Sequence, residues 1–263
     1  MRTFDALGYQ FAVSCTNDVL ADQVWAALEG LAADADVSGL DEFVVGESTA
    51  GSTMTLERLV GMSNLRSLVA LQAGNLVLHS GAVCAPTGAT VLLCGPSGSG
   101  KSTLTATLVG RGHAYVTDEL VCLSPDLVHI TPFRKPLSLK PGAHALLPHL
   151  RPSRAAVADM LSGDVWLVPP RCLGGPRPPD ELLIPEVVVF PTFVSGQSQR
   201  VERLGTAEAA YLLGANAAGL GEVRDGGLEA VARVARRVRA YRILHGDPKE
   251  AAETIEMLWT GAA

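Results

Sequence analysis

The chain has 263 residues, of which 48% are hydrophobic, 18% charged and 5% aromatic. That balance excludes a disordered chain and can build one large domain or a small unit beside a larger one. A formal net charge of −6 argues against general nucleic-acid binding, so no nucleic-acid partner is expected.

In chain order, "LGYQFAVSC" (residues 7–15) alternates apolar and polar side chains and predicts a strand. "DVLADQVWAALEGLAADA" sets Val19, Leu20, Val24, Leu28 and Leu31 at helical spacing. "EFVVGES" predicts a further strand, and "TLERLVGMSNLRSLVALQAG" a helix. Together they make a small N-terminal α/β unit, residues 1–70, that carries no catalytic motif and suits recognition or support. Residues 71–263 are left for a larger α/β domain.

Within the larger domain, "LVLHSGAVCA" and "ATVLLCG" are short β-branched strands separated by the turn signal Pro86-Thr87-Gly88. "KSTLTATLVGRG" predicts a helix stopped by Gly110 and Gly112. "AYVTDELVCLSPD" predicts one strand with Asp118 and Glu119 near its middle. The prolines of "VHITPFRKPLSLKPGA" exclude a central strand or an uninterrupted helix. Residues 141–180, rich in Pro, Gly and Arg, predict a loop, and "LLIPEVVVFPTFV" returns to the sheet. The remainder predicts helices over "GTAEAAYLLGANAA", "LEAVARVARRVRAYRIL" and "DPKEAAETIEMLW", the last with Asp247 as N-cap and Pro248 at its first position.

The five cysteines are scattered without a C-x-x-C pair; Cys94 and Cys122 fall in apolar runs and read as buried, reduced thiols. No apolar segment reaches the ~18 residues of a membrane span, and the first residues lack the apolar stretch of a secretory signal. The expectation is a soluble cytoplasmic protein with no membrane partner.

Chemistry concentrates in Gly95-Pro96-Ser97-Gly98-Ser99-Gly100-Lys101-Ser102, which fits G-x-x-x-x-G-K-[ST] between a strand and a helix. Glycines at 95, 98 and 100 let backbone N–H groups approach phosphate oxygens, and the helix beginning near Lys101 adds the positive end of its dipole. The nucleotide-binding set is Gly95, Ser97, Gly98, Ser99, Gly100, Lys101, Ser102 and Thr103. Lys101 would neutralise the β- and γ-phosphates, and Ser102 would offer its hydroxyl to Mg²⁺. ATP and Mg²⁺ are the expected small molecules.

Asp118 and Glu119 follow after one helix and one turn. In ABC-type transport motors the corresponding acids lie far downstream, where this chain has Pro191 in "EVVVFPTF", so a transport motor is disfavoured. Alternation along "AYVTDELVCL" puts one of the two acids on a buried side, which is costly unless it meets metal or lysine. Arg134, Lys135 and Lys140 in "PFRKPLSLK" could clamp phosphate or decorate a surface loop; Arg134 is favoured for a catalytic role. Arg171 and Arg177 read as exposed. Arg233, Arg236, Arg237 and Arg239 read as the solvated face of a helix buried through Val231, Val234, Val238 and Tyr241, with an acidic peptide as the sharper alternative.

"LHSGAV" with His79, then "GPSGSGKS", then "RGHAYVTDELV", extended by "PFRKPLSLKPG", resembles bacterial HPr kinase/phosphorylase and its shorter kinase-like relatives. The resemblance covers about residues 76–140. It implies a P-loop kinase core related to the C-terminal domain of HPr kinase and to phosphoenolpyruvate carboxykinase. It also implies phosphate transfer to a serine-type hydroxyl of a protein or peptide. By position, Asp118 matches the acid that takes the hydroxyl proton, and Glu119 matches its neighbour near the metal, a position held by Asp in HPr kinase itself. His79 matches the histidine before the loop strand; a core histidine satisfied by a carbonyl is the alternative. The kinase-like branch further suggests tailoring of a ribosomally made, lasso-type precursor peptide. A homo-oligomer is a separate expectation. The N-terminal unit and the glycine-rich region tied to the reverse reaction have no visible counterpart here. A small-molecule kinase, or a nucleotide-dependent ATPase or switch without an acceptor, are the competing readings.

Overall fold

Strands β1 (Arg2–Ala6) and β2 (Tyr9–Cys15) form a hairpin whose two-residue turn, Leu7-Gly8, has positive φ at both positions, 57° and 94°. In this computed structural model residues 1–46, 55–66, 68–152, 164–176, 183–221, 223 and 226–261 are described. Helix α1 (Asp18–Ala27) is capped by Asn17, whose Oδ1 accepts from the Leu20 N–H at 2.8 Å. It buries Leu20 and Val24, with Leu28 and Leu31 following, whereas Val19 is exposed. Strands β3 (Ala32–Ala33) and β4 (Asp41–Val45) complete a sheet of order β3-β1-β2-β4, in which β2 and β4 run parallel. Helices α2 (Leu56–Arg66) and α3 (Leu68–Gln72) follow, within the run expected to be a helix.

Contacts divide the chain into Met1–Val69 with Phe133–Leu173, and Ala70–Pro132 with Gly174–Ala263. The sequence suggests a single boundary near residue 70; instead Phe133–Leu173 packs with the N-terminal segment. Gly30 shows why. A Cβ there would lie 2.1 Å from the Arg134 carbonyl oxygen, so only glycine allows the turn at Glu29–Leu31 to sit against this segment. The segment also has structure where a loop was expected. Within the expected loop, 141–180, lie α5 (Pro141–His144) and β11 (Trp166–Val168), the latter paired antiparallel with β10 (Leu137–Leu139) just before it.

Among the described residues the second unit is built on a nine-stranded sheet with the order β13 (Arg200–Arg203), β15 (Arg239–His245), β12 (Ile184–Phe193), β6 (Ala89–Cys94), β5 (Leu76–Cys84), β8 (Leu120–Leu123) and β9 (Ile130–Thr131), in which β7 (Ala114–Thr117) and β14 (Ala217–Ala218) also pair with β5. Strands β5 (Leu76–Cys84) and β6 (Ala89–Cys94) are antiparallel and buried on both faces, which explains their near-continuous apolar sequence. Cys84, Cys94 and Cys122 are buried, and burial pushes the thiols of Cys94 and Cys122 up to about 11. Helix α4 (Lys101–Gly110) follows the loop after β6.

Two expectations change here. The run 114–126 is broken into β7 (Ala114–Thr117) and β8 (Leu120–Leu123), which pair with different stretches of β5. Asp118 and Glu119 occupy the break. The run "LEAVARVARRVRAYRIL" is not one helix either. After β9 (Ile130–Thr131), β12 (Ile184–Phe193), β13 (Arg200–Arg203), α6 (Thr206–Ala215) and β14 (Ala217–Ala218), helix α7 covers only Gly227–Arg237. Val238 is extended, and Arg239–His245 forms β15, parallel to β12 and antiparallel to β13. Helix α8 (Pro248–Thr260) opens on Asp247 and Pro248 as predicted, Asp247 Oδ1 accepting from the Lys249 N–H at 2.7 Å.

Buried residues of α6 and α7 (Leu213, Val231, Val234) join Leu78, Leu92 and Val188 in the core on one face of this sheet. Helix α4 lies on the other face, where Gly81 of β5 makes room: a Cβ there would stand 2.6 Å from Thr105 Oγ1. Arg111 at the end of α4 reaches Glu256 of α8 at 2.7 Å. No described helix is long and apolar enough to cross a membrane.

Candidate active site

Strand β6 runs into Gly95 and the chain turns through Ser99 before entering α4 at Lys101, the strand–loop–helix context the phosphate-loop pattern requires. Gly100 is the N-cap of α4, with φ 98° and ψ 3°. Most residues avoid that left-handed conformation, and a side chain here would also press on Phe193 and His245. Lys101 is 6% exposed and folds back over the loop, its Nζ donating to the carbonyl oxygens of Gly95 at 2.5 Å and Pro96 at 2.9 Å. Ser97 and Gly98 are exposed at the loop's crest, Ser99 is buried, and Ser102 and Thr103 are half-buried in the first turn of α4.

Asp118 is brought to this loop by the break between β7 and β8. It is 1% exposed, and its Oδ2 accepts from Ser102 Oγ at 3.4 Å while Oδ1 accepts from Tyr115 Oη at 3.2 Å. Of the adjacent acids it is therefore the buried one. Gly81 again contributes, because its ideal Cβ position lies 3.8 Å from the Asp118 Cα. Glu119 is half-exposed and turns the other way, to an ion pair with His79, Nε2 to Oε1 at 3.3 Å. The backbone closes the same corner: the Ser80 N–H donates to the Glu119 carbonyl at 3.0 Å, and the His79 N–H to the Asn216 carbonyl at 2.7 Å.

Lys101, Ser102, Asp118, Glu119 and His79 thus all belong to the second unit. Arg134 belongs to the first, where its Nε is buried without a hydrogen-bond partner. Lys135, read from sequence as a phosphate clamp or surface residue, is 1% exposed and donates to the Pro136 carbonyl at 3.2 Å. Lys140 is exposed. Arg171 pairs with Glu29 at 2.9 Å, and Arg177 lies outside the described residues.

The arginine cluster around residue 236 does not form one solvated helical face. Arg237 donates to the Leu127 carbonyl at 3.2 Å, and Arg239, on β15, donates to the last carbonyls of α8 at Leu258 and Trp259, 2.7 and 2.8 Å away. A cation at a helix C-terminus complements the dipole there.

The oxygen donors near the loop suit a hard divalent ion. Mg²⁺ binds through one or two carboxylates plus substrate phosphates and needs no all-protein cage. Ser102 Oγ and the Asp118 carboxylate supply one hydroxyl and one carboxylate side by side. Glu119, engaged by His79, stands one residue along.

Sequence reasoning missed His245. It ends β15, is 1% exposed, and its Nε2 lies 3.3 Å from the ideal Cβ position of Gly100. The alternation of "AYRILH" could have revealed the strand, but the arginine-rich helical pattern before it masked the change of period.

No family model matches the chain, and no curated protein matches it. Among solved structures it is similar to the Hpr(Ser) kinase/phosphatase from Coxiella burnetii, at 14% identity and a TM-score of 0.34, over 71% of this chain and 95% of that one.

Proposed function

We propose that the protein is an ATP- and Mg²⁺-dependent kinase that transfers the γ-phosphate to a hydroxyl group, with a serine of a protein or peptide as acceptor. The observation that carries this reading is the 3.4 Å approach of Asp118 to Ser102, which sets a buried carboxylate beside the hydroxyl that opens the phosphate-loop helix. Lys101 now rests on loop carbonyls and would exchange them for β- and γ-phosphate oxygens, neutralising charge as the phosphoryl group moves. The loop N–H groups and the start of α4 would hold the same oxygens.

Transfer forms a bond between the acceptor oxygen and the γ-phosphorus and breaks the β,γ-bridging P–O bond, whose electron pair leaves with ADP. The acceptor's proton goes to Asp118. Ser102 and Glu119 would hold Mg²⁺, so that Asp118 serves as the base; the ion, when bound, supplies charge neutralisation at the phosphates. General-base help of this kind contributes about 10²–10⁴-fold. The resemblance of residues 76–140 to HPr kinase-like proteins supports a serine-type acceptor, and its kinase-like branch points to a ribosomally made peptide.

A second reading is favoured by the same contact. A carboxylate that accepts from the loop serine is placed to serve the metal, as in hydrolytic phosphate-loop switches, and the protein would then release inorganic phosphate. Incubation with γ-labelled ATP and serine-bearing peptides separates the two. Label on peptide with wild type, lost by at least about 100-fold in Asp118→Asn, supports the kinase. Label in free phosphate alone supports the switch, and equal peptide labelling by both proteins removes Asp118 as base.

A further inference from the structure

His245 stands where the carboxyl ends of parallel strands β12 and β15 meet the phosphate loop, the edge at which open α/β sheets bind ligands. It is 1% exposed, and neither ring nitrogen makes a hydrogen bond of ordinary geometry. Phe193, at the end of β12, meets the ring edge-on with centroids 5.5 Å apart, and the Val194 N–H donates to the His245 carbonyl at 2.9 Å. These contacts fix the imidazole against Gly100, the N-cap of α4, with Nε2 and Cε1 3.3 and 3.6 Å from that glycine's ideal Cβ position. A polar ring buried behind a helix N-terminus with no hydrogen bond of ordinary geometry has a cost that an apolar side chain would avoid.

We propose that His245 is a positioning residue for the bound nucleotide, its ring walling the last turn of the phosphate loop at Gly100 so that the loop's N–H groups converge on the phosphates. The inference rests on the reading that this loop holds a nucleotide. It is absent from the motif because the wall comes from a strand far along the chain.

A proton linkage follows from the same placement. Burial holds the His245 pKa below its ordinary value of 6.5, and the carbonyl and carboxylate of Asp247 oppose this only in part. Among the described residues, the other charged groups at the loop are Lys101, whose ammonium is directed to the Gly95 and Pro96 carbonyls, and Asp118, whose carboxylate accepts from Ser102; Phe193 presents only its ring. Phosphates arriving at the loop favour the protonated ring, so binding takes up a proton and tightens as pH falls toward and below 6.5.

The test is titration calorimetry of the full chain with Mg²⁺ and the β,γ-imido analogue of ATP, near pH 6.5 in buffers of different ionisation enthalpy. His245→Ala should weaken binding about tenfold, while His245→Phe, which keeps the wall, should stay within about threefold of wild type and lose the proton uptake. Phe190→Leu, a change in the β12 core, should lower thermal stability with affinity and uptake unchanged. Affinity of His245→Ala within about twofold of wild type overturns the inference, as does equal proton uptake by wild type and His245→Phe. If wild type binds no nucleotide, this inference and the reading beneath it fall together; if only the variants behave like wild type, the inference alone falls.

Discussion

Asp118 is a buried carboxylate with hydroxyl donors on both oxygens, Ser102 on one side and Tyr115 on the other. Such a group is tolerated in a core only where its charge has work or partners. Its place beside the loop was legible because a run of alternating residues can bury only one of two adjacent acids. Which one is buried depends on the break between β7 and β8, and that break exists because the two halves pair with different stretches of β5. Two expectations follow at single residues. Gly100→Ala forces a side chain into left-handed backbone against His245 and Phe193, and should cost about 1–2 kcal/mol of stability, read by denaturant unfolding. Ser102→Ala should raise the Mg²⁺ concentration needed for half-maximal nucleotide binding by about tenfold or more, with the nucleotide affinity in excess Mg²⁺ affected less.

Among the elements, β15 shows where sequence reading stopped. Arg233, Arg236 and Arg237 continue a helical pattern into "VRAYRILH", and nothing local marks Val238 as the end of α7. What ends it is long-range: residues Arg239–His245 gain hydrogen-bonded neighbours on both sides, β12 and β13. Tertiary pairing of that kind overrides local propensity. By contrast, α8 was fully legible from Asp247 and Pro248, since caps act within one turn. If β15 is a central strand, Ile243→Ala, fully buried within it, should destabilise by about 2–5 kcal/mol in denaturant unfolding. The clasp between α4 and α8 is electrostatic. Hydrogen bonds from Arg111, then from His113, hold the Glu256 carboxyl below its ordinary range despite partial burial. A depressed carboxylate stabilises the fold above its ordinary pKa of 4.5 and loses that contribution as pH falls through the folded value. Between roughly pH 5 and 3, wild-type melting temperature should therefore fall more steeply than that of Glu256→Gln.

Across the whole molecule, the chain leaves the second unit at Pro132 and returns at Gly174, so the candidate clamp residues Arg134 and Lys135 belong with the N-terminal unit. The sequence holds no sign of this, because the pairing of β10 with β11 and the fit of Gly30 against Arg134 join positions far apart along the chain. The phosphate loop, its helix and the acid pair needed no such information and were readable from a short interval. Everything functional depends on the loop at 95–102 holding a magnesium nucleotide with Lys101 on its phosphates. The most direct measurement is the equilibrium affinity of the full chain for MgATP, for wild type and Lys101→Ala. Saturable binding by wild type that weakens at least about tenfold in the variant, without loss of the folded state, is the predicted result. Absence of binding by wild type, or equal affinity in both proteins, would contradict it.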